Sequence, residues 1–280
     1  MRRVYISLIT LVLCAPVLGA LASASAADLG GSYKDGGAPV DEWAVSQVEV
    51  GGILVVLPKY EGSDEYEVLG FPYILPTFAG GPGFLNRIDA RGLDDVRFNL
   101  IDRDGFVAGP LGGYTLGREE DDGDLLDGLG DIDGGVVVGG FVGYRLGPVL
   151  FDVAFLQFFD DSEGYQIRFG AEIERQISDR VKLTGRIGAN YADESYTQTY
   201  FGVSAEQSID SGLNVHDADA GFKDVYVQAG IKADLDDRWS ARATVRYSHL
   251  LGDAGDSPVV ESEDQFIGLV GLSYKFYTDR

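Results

Sequence analysis

The residues that could do chemistry in this chain are few, and its two histidines, His216 and His249, are the first candidates. A serine and a histidine near a membrane edge could cleave lipids, because the histidine activates the serine hydroxyl as a nucleophile. Ser248 and Ser257 lie close to His249 in the sequence, but Ser248 is its direct neighbour. Neighbouring side chains of a strand point to opposite faces, so we interpret His249 as an interfacial residue without a catalytic role.

An acidic segment is the second candidate, because Ca²⁺ and Mg²⁺ prefer carboxylate oxygens. Its carboxylates are Glu119, Glu120, Asp121, Asp122, Asp124, Asp127, Asp131 and Asp133. They lack the spacing of an EF-hand, so we predict a solvated loop, with a loose divalent bridge to lipopolysaccharide phosphates as the alternative. Gly128-x-Gly130 and Gly134-Gly135 have no strand-to-helix context and are interpreted as turn glycines rather than a phosphate cradle. We predict no catalytic, cofactor-binding or metal-binding residue and no cofactor.

Charged residues alternate with apolar ones across several segments, of which residues 165–191 are the clearest. A period of two predicts strands with one apolar and one polar face. The polar face carries Arg168, Lys182, Arg186, Lys232, Arg242 and Arg246, with Glu172, Glu174 and Asp234. A soluble sandwich would show this face to water, whereas a membrane barrel would enclose it and turn the apolar face to lipid.

The N-terminus favours the membrane barrel. Arg2 and Arg3 precede an apolar run over residues 4–22, and small residues follow up to Ala27, so we predict a signal peptide over residues 1–26. The single cysteine, Cys14, lies within it, which leaves an exported chain without disulfides. A closed barrel supplies stability by another route, since every strand is paired. We predict a flexible periplasmic lead-in over residues 27–42 and an outer-membrane barrel over 43–280.

Twelve strands are predicted, and the fold class is therefore an all-β, antiparallel transmembrane β-barrel. The strands are placed at about 43–57, 66–79, 83–92, 95–102, 105–117, 132–146, 149–160, 163–177, 180–192, 223–235, 239–251 and 264–277. Short connections at 147–148, 178–179 and 236–238 alternate with long ones at 118–131, 192–222 and 252–263. This rhythm is typical of short periplasmic turns and longer outer loops. Pro72, Pro76 and Pro82 interrupt the pattern in the first strands.

The formal net charge of −23 excludes one class of partner, because a strongly acidic protein repels nucleic acid. The charges on the inner face leave two interpretations open. Paired across strands, they would fill a narrow barrel; left in water, they would line a pore with anion preference, since the basic residues of the set outnumber the acidic ones. We favour the filled interior.

Several segments, in order along the chain, resemble the MipA/OmpV family of outer-membrane proteins. They are Leu57-Pro58-Lys59-Tyr60-Glu61-Gly62-Ser63-Asp64, Gly117-Arg118, Gly128-Leu129-Gly130-Asp131-Ile132-Asp133, Tyr191-Ala192-Asp193, Tyr196, Tyr200-Phe201-Gly202-Val203, Gly252-Asp253-Ala254-Gly255-Asp256-Ser257-Pro258 and Tyr274-Lys275-Phe276. The resemblance covers nearly the whole exported chain. Members commonly end on the closing aromatic residue, whereas here four further residues follow Phe276.

The resemblance implies a non-enzymatic scaffold in the outer membrane of a Gram-negative bacterium. The founding member is described as joining a lytic murein transglycosylase to a murein synthase, and other members resemble porin-like proteins or adhesins. We therefore expect a scaffold with these periplasmic partners, surrounded by outer-membrane lipid and lipopolysaccharide. A passive channel or a surface adhesin is the alternative.

Overall fold

A computed structural model of the chain describes residues 45–78 and 88–277. The predicted signal peptide, the lead-in and Pro82 lie outside the described residues, so those expectations stay predictions. Within the described part, no helix is long and apolar enough to cross a membrane.

One antiparallel sheet of thirteen strands makes up the fold. The strands are β1 Val45–Pro58, β2 Tyr66–Phe78, β3 Ile88–Ala90, β4 Val96–Phe98, β5 Ile101–Arg103, β6 Phe106–Thr115, β7 Gly135–Leu146, β8 Val149–Phe159, β9 Tyr165–Ser178, β10 Val181–Ala192, β11 Gly221–Asp234, β12 Trp239–Leu250 and β13 Asp264–Tyr277. The order across the sheet is β2-β1-β13-β12-β11-β10-β9-β8-β7-β6-β4-β3, and β5 also pairs with β6. The first strand thus pairs with the last, as in a sheet that curls toward a barrel, and β2 and β3 are the edges of the described sheet.

The connections alternate as predicted. Residues 104–105, 147–148, 179–180 and 235–238 form short turns at one end of the sheet, and the other end carries the long connections. Three helices lie in these long connections, which sequence reasoning did not anticipate: α1 Glu194–Phe201, α2 Ala205–Ser211 and α3 Gly252–Gly255. Two single 3₁₀ turns, Glu120–Asp122 and Asp124–Leu126, lie in the acidic segment.

Apolar side chains cover the outward face of the sheet. In β7, Val136, Val138 and Val142 are each at least half exposed, while Val137 and Phe141 between them are buried. The outward face therefore matches the lipid-facing band of a membrane barrel. The inward face of β7 and β8 is also apolar near the long connections, so the expected alternation of apolar and polar residues is absent there. The apolar core of the protein lies at this end.

The expected single strand 95–102 is wrong in detail, because the chain breaks at Asn99 and Leu100 into β4 and β5. The Leu100 N–H donates to Phe98 O at 2.8 Å, which is the hydrogen bond of a tight three-residue turn. Gly109 permits the kink, since a Cβ there would lie 1.7 Å from Phe98 O. Pro72 and Pro76 are accommodated within β2, opposite Gly52 and Val48 of β1.

Candidate functional site: a charged interior beneath an outer cap

A cluster of buried charges around Asp152 crosses the inside of the sheet. The Asp152 carboxylate accepts hydrogen bonds from Arg97 at 2.7 Å and from two nitrogens of Arg186 at 2.8 and 2.9 Å. Arg97 also binds both carboxylate oxygens of Asp95, at 2.7 and 2.9 Å. The side chains of Asp152 and Arg97 are each 1% exposed. Because a buried charge needs a partner, these ion pairs fix the positions of β4, β8 and β10 relative to one another across the interior.

Two further groups of ion pairs lie closer to the long connections. Arg168 pairs with Asp94 in the turn between β3 and β4. Lys223 pairs with Glu61 and, at 3.1 Å, with Asp224. These contacts join segments that are 74 and 162 residues apart in the chain. Charges therefore connect distant parts of the wall across the interior.

The other predicted inward-facing bases also have acidic partners, with one exception. Lys182 pairs with Glu174, Arg242 with Glu49 and Arg246 with Asp224. Among the described residues, Lys232 forms no ion pair. The predicted pairing is confirmed for most of the set.

Sequence reasoning missed most of the acidic partners. The missed carboxylates are Glu49, Glu61, Asp94, Asp95, Asp152 and Asp224. The predicted excess of basic over acidic residues in the interior does not hold once these groups are counted with their partners. The alternation of residues in β8 could have identified Asp152 as an inward-facing carboxylate. Nothing in the sequence indicates that the turn carrying Asp94 and Asp95 faces the interior.

The long connections pack together at one end of the barrel. We call residues 59–65, 116–134, 160–164, 193–220 and 251–263 the outer cap. Leu126, Phe201 and Val203 are each 0% exposed within it, and Val259 is 1% exposed. The rings of Tyr196 and Tyr200 in α1 stack at 4.5 Å. The outer cap thus has its own apolar core, continuous with the inward apolar face of β7 and β8.

Hydrogen bonds between connections tie the outer cap together. Tyr60 donates to Val259 O at 3.2 Å, and Ser257 donates to Phe201 O at 2.5 Å. Arg118, 5% exposed, donates to Tyr200 O at 2.9 Å. Nearly every segment that carries the family resemblance therefore contributes to the outer cap or to the strand ends beneath it.

Burial changes the acid–base properties of the cap. It raises the pKa of Tyr60 and Tyr200 above the usual phenol range, and carboxylates beside each hydroxyl add to the effect. Desolvation also lowers the pKa of Arg118, which remains a cation at neutral pH. These tyrosines stay neutral hydrogen-bond donors at physiological pH.

The acidic segment uses several of its carboxylates to fold back on itself. Glu120 accepts hydrogen bonds from the N–H groups of Gly128 and Gly130, at 3.1 and 2.7 Å. Asp131 accepts from the Glu120 N–H at 2.8 Å. Among the described residues, no group of three or more acidic, histidine or cysteine side chains is arranged to hold a metal ion. The cap contains 24 of the 45 acidic residues with only two basic ones, so its surface carries almost all of the net charge.

Neither histidine has a candidate serine as its hydrogen-bond partner among the described residues. His249 contacts Asp264 at 2.9 Å and Glu263 at 3.4 Å, and His216 contacts the Asp253 backbone oxygen at 2.8 Å. Ser257 is buried in the cap, with its hydroxyl on a backbone oxygen. Within the described residues, no hydrogen bond joins a serine to a histidine.

An outward apolar face, a charged interior, paired first and last strands, and short turns opposite long loops define an outer-membrane β-barrel of a Gram-negative bacterium. The MipA family, described as MltA-interacting protein MipA, matches residues 50–276. The chain belongs to this family.

Individual relatives match over shorter stretches. The chain is 29% identical over 117 residues to "Putative outer membrane protein YiaT" of Escherichia coli strain K12, which covers 42% of this chain and 47% of that protein. It is 27% identical over 106 residues to the MltA-interacting protein of the same strain, covering 38% of this chain and 42% of that protein. The matches thus span less than half the length of these curated relatives.

Solved structures with similar architecture share little sequence with this chain. OmpT of Vibrio cholerae is 8% identical with a TM-score of 0.38, covering 85% of this chain and 100% of that chain. The translocator domain of the autotransporter NalP from Neisseria meningitidis is 10% identical with a TM-score of 0.38, covering 82% and 88%.

Proposed function

We propose that this protein is a non-enzymatic structural barrel that holds murein-remodelling enzymes at the periplasmic face of the outer membrane. The observation that carries the proposal is the combination of a charge-paired interior with a tightly packed outer cap, which favours a closed structural element over an open channel. The name of the MltA-interacting relative supports a murein transglycosylase as one partner. The family resemblance implies a murein synthase as the other.

The periplasmic turns are the surfaces available for such partners. The turn between β11 and β12 exposes Asp237, whose side chain is 96% exposed. Asp236 shapes this turn by accepting hydrogen bonds from the backbone N–H groups of Arg238 and Trp239, both at 2.7 Å. The lead-in over residues 27–42 is the second proposed contact surface.

Affinity capture with the purified barrel tests this function. Detergent extracts should yield a lytic transglycosylase and a murein synthase, and Asp237→Lys should reduce their recovery. Glu206→Lys, an equal charge change in α2 of the outer cap, is the matched control and should leave recovery unchanged. Equal recovery by all three proteins would remove the turn from the contact surface, and failure to recover either enzyme would contradict the scaffold role.

A porin-like passive channel is the second candidate, because ion pairs can also line a water-filled pore. A closed scaffold predicts a nearly silent protein in planar bilayers. Steady conductance whose ion preference shifts when Arg186 and Arg242 are both changed to Glu would establish the channel instead. A surface adhesin would bind cells through the outer cap and lose that binding when the cap is shaved by protease.

The surroundings of the barrel complete the proposal. Outer-membrane lipid contacts the outward apolar face, and lipopolysaccharide surrounds the outer cap. Since both the cap and lipopolysaccharide phosphates are anionic, divalent cations would bridge them loosely. Chelation with EDTA should then release the cap from lipopolysaccharide without unfolding the barrel.

A further inference from the structure

The outward face of the barrel contains a groove. Its volume is about 760 Å³, and it lies across β6 to β11. Paired residues of an antiparallel sheet share a face, and one row across the groove runs Phe106, Tyr144, Phe151, Ala171 and Ile187. Most of the lining residues are apolar and face the hydrocarbon of the bilayer, and the inward-facing positions between them, such as Gly143, Gly170 and Gly188, belong to the floor of the groove.

Two alanines create the depression. Ala171 and Ala189 occupy outward positions where the neighbouring strands carry Phe151, Phe169 and Ile187. A methyl side chain between rings and branched chains leaves a volume that the barrel itself does not fill. Lipid or protein must fill it in the membrane, because an empty apolar surface there would lose van der Waals contacts.

The groove rises obliquely from the periplasmic rim. Phe106 directly follows the Asp104-Gly105 turn, Phe151 lies two residues into β8, and Ile187 lies six residues into β10. Its path leads from the membrane surface toward the hydrocarbon centre, as the acyl chain of a lipid in the periplasmic leaflet does.

A basic side chain stands at the lower end of the groove. Arg103 pairs directly with Phe106 in the sheet and so lies on the same outward face. Its only ion pair among the described residues is with Asp104 at 3.2 Å, where both side chains are at least 85% exposed. Such an exposed pair is weak, so the guanidinium is free to bind a phosphate at the membrane surface.

We propose that this groove is a binding site for one glycerophospholipid of the periplasmic leaflet. An acyl chain lies over Ala171 and Ala189, and Arg103 binds the phosphate. The position of a cation beside an apolar groove fits one amphipathic molecule with an anionic head. A second copy of this chain fits less well, because Arg103 would then face either the same arginine of the other copy or an apolar surface, and neither offers an anion. The site is independent of the scaffold function.

Native mass spectrometry of the detergent-solubilised barrel with added dioleoyl phosphatidylglycerol tests the site. The wild type should carry one lipid, and Ala189→Phe, which fills the groove, should weaken binding about tenfold or more. Ala243→Phe is the matched control, because Ala243 pairs with the exposed Ile231 and Val270 on the outward face outside the groove. Heat-modifiable gel mobility verifies that each variant is folded.

The phosphate contact is tested separately, so that misfolding of Ala189→Phe would not end the test. Arg103→Gln should weaken phosphatidylglycerol binding about fivefold, while Arg180→Gln in another periplasmic turn should not. Dioleoylglycerol, which lacks the phosphate, should bind wild type and Arg103→Gln equally. Equal lipid retention by wild type, Ala189→Phe and Ala243→Phe would show a non-specific lipid shell and overturn the proposal. A dimer lost in Ala189→Phe would assign the groove to a second copy.

Discussion

Replacing Asp152 with Asn should destabilise the barrel by leaving buried guanidinium groups without their carboxylate. Arg97 keeps two hydrogen bonds to Asp95 in this variant. Arg186 keeps Tyr226 at 2.9 Å and a distant Glu172 at 3.4 Å, so it loses the most. Removing one partner of a buried pair typically costs about 3–5 kcal/mol, and because Asn still accepts one hydrogen bond we expect about 3 kcal/mol.

The matched control is Glu174→Gln, which removes a carboxylate from an exposed pair. The Glu174 and Lys182 side chains are 52% and 38% exposed, so the loss should be about 0–1 kcal/mol. The assay is urea unfolding of the detergent-folded protein, followed by tryptophan fluorescence and by heat-modifiable gel mobility. The double variant Asp152→Asn, Arg186→Gln should be less destabilised than the sum of the single variants, with a coupling of about 0.5–3 kcal/mol.

The reasoning depends on Asp152 being both buried and paired. If Asp152→Asn unfolds at the same urea concentration as Glu174→Gln, the interior is hydrated and the charges are screened by water. Strictly additive single and double variants would refute the direct Asp152–Arg186 contact even if each variant is destabilised.

Three further predictions concern the outer cap and a periplasmic turn. Phe201→Ala should open the cap and speed protease cleavage within residues 193–220 on intact cells, whereas Ile209→Ala, at an 83% exposed position, should not. Gly128→Ala should also loosen the cap, by about 1–2 kcal/mol, because φ is +84° and the added Cβ would lie 2.7 Å from the backbone; unchanged cleavage would contradict this. Backbone N–H groups of Trp239 and Arg238 lower the pKa of Asp236, so Asp236→Ala should reduce thermal stability at neutral pH. The difference between the two proteins should vanish as the pH falls through the lowered folded-state pKa, because only the ionised carboxylate contributes this stability. A difference that does not depend on pH would exclude this cause.

The position of most strands follows from the sequence because each is governed by local rules. Residues 165–178 and 181–192 alternate with a period of two, and the predicted and observed strands differ there by at most two residues. The break between β4 and β5 could not be predicted, since it depends on the close approach of Phe98 to Gly109 on another strand. The inward apolar face of β7 was missed because Val137 and Phe141 meet the outer cap rather than water.

The sequence alone determined the class of protein: a period of two, a predicted export signal and alternating connection lengths are all properties of short stretches of chain. Only the tertiary structure decided which charges pair, how the cap closes and where the lipid-facing groove lies. Arg97 and Asp152 are 55 residues apart, and Lys223 and Glu61 are 162 residues apart. Their contacts depend on the curvature and register of the whole sheet, which bring distant residues to the same height inside the barrel. No local sequence pattern predicts which of these residues will be in contact.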